Sequence, residues 1–223
     1  MLTLGIDDAG RGPVIGPMVL AGCLIDKKAE TELNKLGVKD SKQLTQKRRE
    51  FLEKIIKEKS EKFEIILATP LEIEEKNKKG INLNELEAIK AAEIINKINK
   101  DNVKMKIIID CPSVSIIKWK DTLKTKIKNL NNLDISCEHK ADRNHVIVSA
   151  ASILAKSKRE KEMDKLREEY GKEIGSGYTS DSTTRKFLEK KAKKYENKGI
   201  FRRTWSTWKK AVKIGKQKKL SDF

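Results

Sequence analysis

Cysteine, histidine and aromatic side chains are scarce in this chain of 223 residues, which has three cysteines, two histidines and 5% aromatics. The three cysteines, Cys23, Cys111 and Cys137, show no C-x-x-C spacing, which argues against a zinc ribbon or a disulfide framework. They fall in or beside strand-like runs and are expected to be buried, reduced thiols, as in a cytosolic protein. No apolar run reaches the length needed to span a membrane. The amino terminus lacks a basic segment followed by an apolar signal core, so the expected location is cytoplasmic. His139 and His145 flank Asp142 and read as polar residues of a strand-to-helix loop, since hard cations prefer oxygen ligands. Acid is in deficit too: 33 Asp and Glu face 50 Lys and Arg, a formal charge of +17. That balance points to a polyanionic partner, most simply nucleic acid. In the Lys/Glu-rich middle of the chain such composition also describes an ordinary solvated surface. The last 41 residues, Thr183 to Phe223, carry much of the excess, with 15 basic residues against Glu189, Glu196 and Asp222.

What the chain does have is a run of acids at the ends of apolar segments. Leu2, Leu4 and Ile6 alternate as a half-buried strand would, and the run ends in Asp7-Asp8 followed by Ala9-Gly10-Arg11-Gly12-Pro13. Asp7 and Asp8 should point to opposite faces. Glycine on both sides of Arg11 lets a bulky ligand approach the main chain and presents the arginine. An acid pair beside glycine is, alone, what any solvated turn looks like. Here it recurs: Lys106 to Ile109 is an apolar run ending in Asp110-Cys111-Pro112, and Leu133 to Cys137 alternates as another strand with Asp142 just beyond. Carboxylates delivered at the carboxyl ends of buried strands are where α/β proteins place their sites. Four of them, Asp7, Asp8, Asp110 and Asp142, make a plausible site for two oxygen-bound divalent cations.

Periodicity predicts strands at Leu2 to Asp7, Met18 to Ile25, Phe63 to Thr69, Met105 to Asp110 and Leu133 to Cys137. Helices are expected at Gln46 to Lys59, at Asn84 to Lys97 with Asn84 as a candidate cap, near Ser115 to Lys128, and from about Val146 to Glu169. Small residues in Ser149 to Lys156 permit close packing on a sheet. No repeat and no Pro/Gly/Ser linker divides the chain. Gly171 to Asp181 is the nearest thing to a boundary, and beyond it a basic helical tail carries Phe187, Tyr195, Phe201, Trp205 and Trp208. The two tryptophans read as an anchor for that tail. The expected organisation is a catalytic domain over 1–175 and a basic helical extension over 176–223 packed on it. Together these elements read as an α/β fold with a mixed sheet.

The ordered motifs resemble the type 2 ribonuclease H family, ribonuclease HII, in an archaeal-like single-chain form. The resemblance runs through Asp7 to Pro13, Asp40 to Thr45, Asn82 to Glu87, Ile109-Asp110, Lys140 to Asp142, Ser149 to Lys156 and Gly175 to Tyr178, most of residues 1 to about 210. One position departs: the family's second acid is normally glutamate, and here it is Asp8, whose shorter arm changes the reach to a metal.

The resemblance implies a ribonuclease H-like fold, a five-stranded sheet flanked by helices. It implies an endoribonuclease that hydrolyses the RNA strand of RNA·DNA hybrids and cuts at ribonucleotides embedded in duplex DNA, leaving 3′-hydroxyl and 5′-phosphate ends. It further implies two cations, Mg²⁺ or Mn²⁺, with Asp7 and Asp110 as central ligands and Asp8 and Asp142 completing the set. Gly10, Arg11, Gly12 and Tyr178 would sense the 2′-hydroxyl that distinguishes RNA, and Lys42 would contact phosphate. The expected protein is a monomer serving DNA replication and repair. Two other classes suit the residues themselves: a two-metal nuclease acting on DNA, and a hybrid-binding protein without catalysis or impaired by Asp8.

Overall fold

The computed structural model describes residues 1–38 and 44–210, so Lys42, expected to contact phosphate, lies outside the described residues. Five strands form one sheet: β1 (Leu2–Ala9), β2 (Met18–Ile25), β3 (Lys62–Ala68), β4 (Met105–Asp110) and β5 (Leu133–Glu138). Their order is β3-β2-β1-β4-β5. β1 and β2 run antiparallel, whereas β1 with β4 and β4 with β5 run parallel, so the sheet is mixed. The helices are α1 (Lys27–Lys35), α2 (Gln46–Lys59), α3 (Pro70–Lys78), α4 (Leu83–Ile98), α5 (Ile116–Lys124), α6 (Ala141–Asn144), α7 (Val146–Tyr170) and α8 (Ser182–Lys191).

β2, β4 and α2 have the bounds expected of them. Two expectations are corrected. Asn82, not Asn84, caps α4, its side chain accepting from the Glu85 amide at 3.1 Å. The helix after β4 ends at Lys124 and not at Lys128, and the chain from there turns back, with the Lys128 amide donating to Asn96 Oδ1 at 2.9 Å.

Packing divides the chain into two compact units. The first comprises Met1–Ala9, Val19–Leu67 and Asn82–Lys158. Its sheet is covered on both faces, which is why β2 and residues 107–109 of β4 are apolar without alternation. On one face Gly5 allows α7 to approach: a Cβ there would stand 2.5 Å from the Ile147 carbonyl carbon. Ile147, Val148, Ala150, Ala151, Leu154 and Ala155 are fully buried with Leu52 and Ile56 of α2, which is the close packing the small residues were expected to give. On the other face Gly22 makes room for Ile94 of α4, whose methyl a Cβ would meet at 2.5 Å.

The second unit gathers Gly10–Met18, Ala68–Ile81 and the described chain from Arg159 onward. Its core collects a large share of the chain's few aromatics. Phe187 stacks on Tyr195 at 5.9 Å, Tyr195 meets Tyr170 edge-on at 5.1 Å, and Phe201 lies 4.4 Å from Trp208. Trp208 is buried in this cluster, and each such ring contributes roughly 1.5–3 kcal/mol on leaving water. Segment 14–16 is stitched in by backbone bonds: the Val14 amide donates to Gly177 O, the Gly16 amide to Ile200 O, and the Arg202 amide to Val14 O.

Candidate active site

Three carboxylates come together in the first unit because of strand register. Ile6 pairs with Ile109 in the parallel β1/β4 ladder, which sets Asp7 and Asp110 next to each other at the carboxyl ends of adjacent strands. Asp8 follows Asp7 directly, and its amide donates to Asp7 Oδ1 at 2.7 Å. Asp7 is buried, whereas Asp8 and Asp110 are half-buried. Burial, then the negative charges of Asp8 and Asp110, hold the Asp7 carboxyl well above the usual aspartate range. The nearby Ser152 hydroxyl of α7 and the Asp8 amide offset part of that rise.

Asp142 arrives by a different route. After β5 the chain passes Lys140 in a left-handed conformation, φ 58°, and opens α6. The Ala141 amide donates to Asp110 Oδ1 at 3.0 Å, tying the start of α6 to the end of β4. Asp142, the next residue, is buried. One step along the sheet, Glu138 pairs in register with Asp110. His145 Nε2 lies 2.8 Å from its Oε2, and this contact pulls the Glu138 carboxyl below its usual range. His139 Nδ1 lies 3.1 Å from Cys111 O, so both histidines have local partners, as expected of loop residues.

The donor chemistry suits a hard divalent cation. The carboxylates are oxygen ligands, and the charge crowding that raises Asp7 is what a bound cation would relieve. Among the described residues no three acids, imidazoles or thiols close on a single ion position.

In the second unit the Gly10-Arg11-Gly12 turn rests on two arginines. Gly10 adopts φ +82°, and a Cβ there would stand 2.4 Å from Arg159 Cδ, so conformation and space both require glycine. The Arg159 guanidinium lies 4.9 Å from the centre of the Tyr178 ring and donates to Ser176 O at 3.0 Å. Gly12 faces the same ring: a Cβ would meet Tyr178 Cε1 at 3.5 Å. Arg202, fully buried, donates to Gly10 O at 2.6 Å, to Arg11 O at 2.8 Å and twice to Gly16 O.

The structure therefore brings together Asp7, Asp8 and Asp110, links Asp142 to them through Ala141, and separately brings together Gly10, Gly12 and Tyr178. Sequence reasoning missed Ser152, Arg159 and Arg202. Ser152 sits in a small-residue run whose pattern signals only close packing. The two arginines were hidden among 50 basic residues, and no local pattern marks which of these are buried. All three cysteines are buried thiols outside any disulfide, as expected. No helix among the described residues is long and apolar enough to cross a membrane.

Comparison with known proteins yields consistent matches. A family model described as Ribonuclease HII matches residues 4–208. The chain is 42% identical to Ribonuclease HII of Methanocaldococcus jannaschii over 232 residues, covering 99% of each protein. Among solved structures it is similar to ribonuclease H2 from Pyrococcus horikoshii OT3, with a TM-score of 0.84, 40% identity, and 97% of this chain and 98% of that one covered. It is likewise similar to the nuclease in a PCNA:RNase HII complex from Archaeoglobus fulgidus, with a TM-score of 0.81, 35% identity and coverage of 92% and 96%.

Proposed function

Since the chain belongs to the ribonuclease HII family of endoribonucleases and has the ribonuclease H-like fold, we propose that it cuts the RNA strand of RNA·DNA hybrids and single ribonucleotides within duplex DNA. The observation that carries the chemistry is the crowding of Asp8 and Asp110 on a buried Asp7. Such a carboxylate cluster is costly by itself and becomes favourable with a cation. Asp7 and Asp110 would be the central ligands, with Asp8 and Asp142 at the flanks. Two divalent cations held there would supply a water of lowered pKa and neutralise charge on the leaving oxygen; attack on phosphorus with departure of the 3′ oxygen would leave 3′-hydroxyl and 5′-phosphate ends.

The chain's own residues supply position and selectivity. The Asp8 amide holds Asp7 Oδ1 and the Ala141 amide holds Asp110 Oδ1, so these ligands are oriented before substrate arrives. Gly10, Arg11, Gly12 and Tyr178 are assigned to the ribose: backbone amides reach the 2′-hydroxyl, Arg11 takes a phosphate, and the Tyr178 ring packs on a sugar. Lys42 is assigned to phosphate on its sequence context alone. The basic extension over 176–223 adds non-specific affinity for the duplex.

The Archaeoglobus complex suggests PCNA as a protein partner of this chain too. In this sequence the segment 217–223 places Leu220 and Phe223 three apart in an otherwise polar stretch, a spacing suited to an apolar groove. The catalytic reading is tested with three duplexes carrying no ribonucleotide, one, or many, each in Mg²⁺, Mn²⁺ and chelator. Cleavage requires both ribose and metal. Equal cutting of the all-DNA duplex identifies a DNA nuclease instead, and binding without cutting identifies a non-catalytic hybrid-binding protein.

A further inference from the structure

We propose that Arg202 is the positioning residue of the ribose-reading turn, and that it acts by orienting two consecutive peptide amides, those of Arg11 and Gly12, toward the substrate. This rests on the assignment of Gly10, Arg11 and Gly12 to the ribose given above. A trans peptide unit is planar, with its carbonyl and its N–H pointing in opposite directions. Arg202 fastens Gly10 O and Arg11 O with one nitrogen each, at 2.6 and 2.8 Å. Gly10 O belongs to the same peptide unit as the Arg11 N–H, and Arg11 O to that of the Gly12 N–H. Fixing the two carbonyls on the guanidinium therefore fixes both amides facing away from it. Adjacent N–H groups held this way form a concave donor pair that suits a hydroxyl or a phosphate oxygen.

The guanidinium is suited to this work. Its planar fork satisfies carbonyls at Gly10, Arg11 and Gly16 together, so the two ends of the 10–16 loop are set by one rigid group. The Arg202 main chain is itself held, its amide donating to Val14 O at 2.9 Å. Its burial keeps water from competing for the same carbonyls. Arg159 completes the frame, lying against Gly10 and over the ring of Tyr178. Two buried guanidinium groups behind the turn also favour an anionic ligand in front of it. Arg202 needs no contact with substrate in this scheme.

The test is affinity, in Ca²⁺, for a duplex carrying one ribonucleotide and for the matching all-DNA duplex. Arg202→Lys keeps the charge and loses the fork, so a folded variant should lose about tenfold of the preference for ribose, the scale of one charged hydrogen bond. Gly12→Ala is the control for the turn itself, since its Cβ would stand in ordinary contact with Tyr178. It should lose preference too. A folded Arg202→Lys with full ribose preference, beside a Gly12→Ala that lost it, overturns the role of Arg202 and leaves the assignment of the turn standing. Full preference in Gly12→Ala overturns both. Should Arg202→Lys not fold, hydrogen exchange on the unaltered protein decides: the single-ribonucleotide duplex should slow exchange at the Arg11 and Gly12 amides, and unchanged exchange there with Gly12→Ala still impaired overturns the inference.

Discussion

Asp7 and Asp110 stand side by side, one residue past the Ile6–Ile109 pair of two parallel strands, and each makes the other's charge harder to bear. Two neighbouring carboxylates at a strand end would not be retained for stability. Asp7 is raised above the aspartate range in the folded chain, so its ionisation favours the unfolded state as pH rises through that raised value. Asp7→Asn should accordingly make the metal-free protein more stable at pH 7, by a few degrees in Tm, the shift that about 1 kcal/mol makes in a chain of this size. Added Mn²⁺ should raise the Tm of the parent and move the variant much less. Calorimetry with and without chelator checks both, and a variant less stable than the parent would show that the charge cluster is not strained.

Asp110→Asn keeps the volume and the oxygen that accepts from the Ala141 amide while removing the charge. Turnover on hybrid should fall by about 10²-fold or more, as for loss of a group that stabilises charge at the reacting centre. Hybrid binding in Ca²⁺ should survive. Cleavage near the parent rate would remove Asp110 from the central ligands.

Asp181 joins the Tyr178 loop to α8. Its carboxylate accepts from the Ser176 and Thr183 amides, each at 2.8 Å, and the first of these bonds does most to hold its pKa down at about 2. A folded-state value below the ordinary one stabilises above about pH 4, and the gain is lost as pH falls toward 2. Asp181→Ala should cost about 1–2 kcal/mol at pH 7, the usual loss for a helix cap, with the difference from the parent shrinking toward pH 2. Thermal melts across that range check it. The same change should raise KM for hybrid more than it lowers kcat, since it loosens the segment that carries Tyr178.

The parts that were legible in the sequence are those with a local cause. Met18–Ile25 and Met105–Asp110 are short, β-branched and bounded, and Gln46–Lys59 alternates at helical spacing after a Thr45 cap. Asp7 and Asp110 stand out in the sequence because each closes an apolar run, whereas Asp142 lies beyond one, in the turn into α6. α1 was not, because Leu33 alone among its nine residues is buried and its pattern reads as a solvated loop. α3 carried a signal that went unused, Thr69 as cap with Pro70 in the first turn. Asn82 and Asn84 offer the same cap chemistry, but α4 already begins at Leu83, so Asn82 is the cap and accepts from the amide three residues on. Arg202 was beyond reach altogether: its three acceptors lie at residues 10, 11 and 16, and nothing at that separation leaves a periodic trace.

The departure at position 8 gives the sharpest test of the metal assignment. Asp8 is half-buried beside Asp7, where the resemblance leads one to expect glutamate. Asp8→Glu adds one methylene, roughly 1.5 Å of reach. Ligand distances to Mg²⁺ are held close to 2.0–2.1 Å in near-ideal octahedra, so a carboxylate that stops short by that length binds through water or not at all. If Asp8 is a ligand at short reach, Asp8→Glu should raise cleavage several-fold in Mg²⁺ and less in Mn²⁺, which accepts a wider range of geometries. Stability should hardly change, because the longer side chain extends from a strand end that is already partly in solvent. Measuring single-turnover rates in both metals separates the outcomes. Equal rates for parent and variant in Mg²⁺ and in Mn²⁺ would make position 8 a bystander whose charge merely raises Asp7, and the site would then rest on Asp7, Asp110 and Asp142.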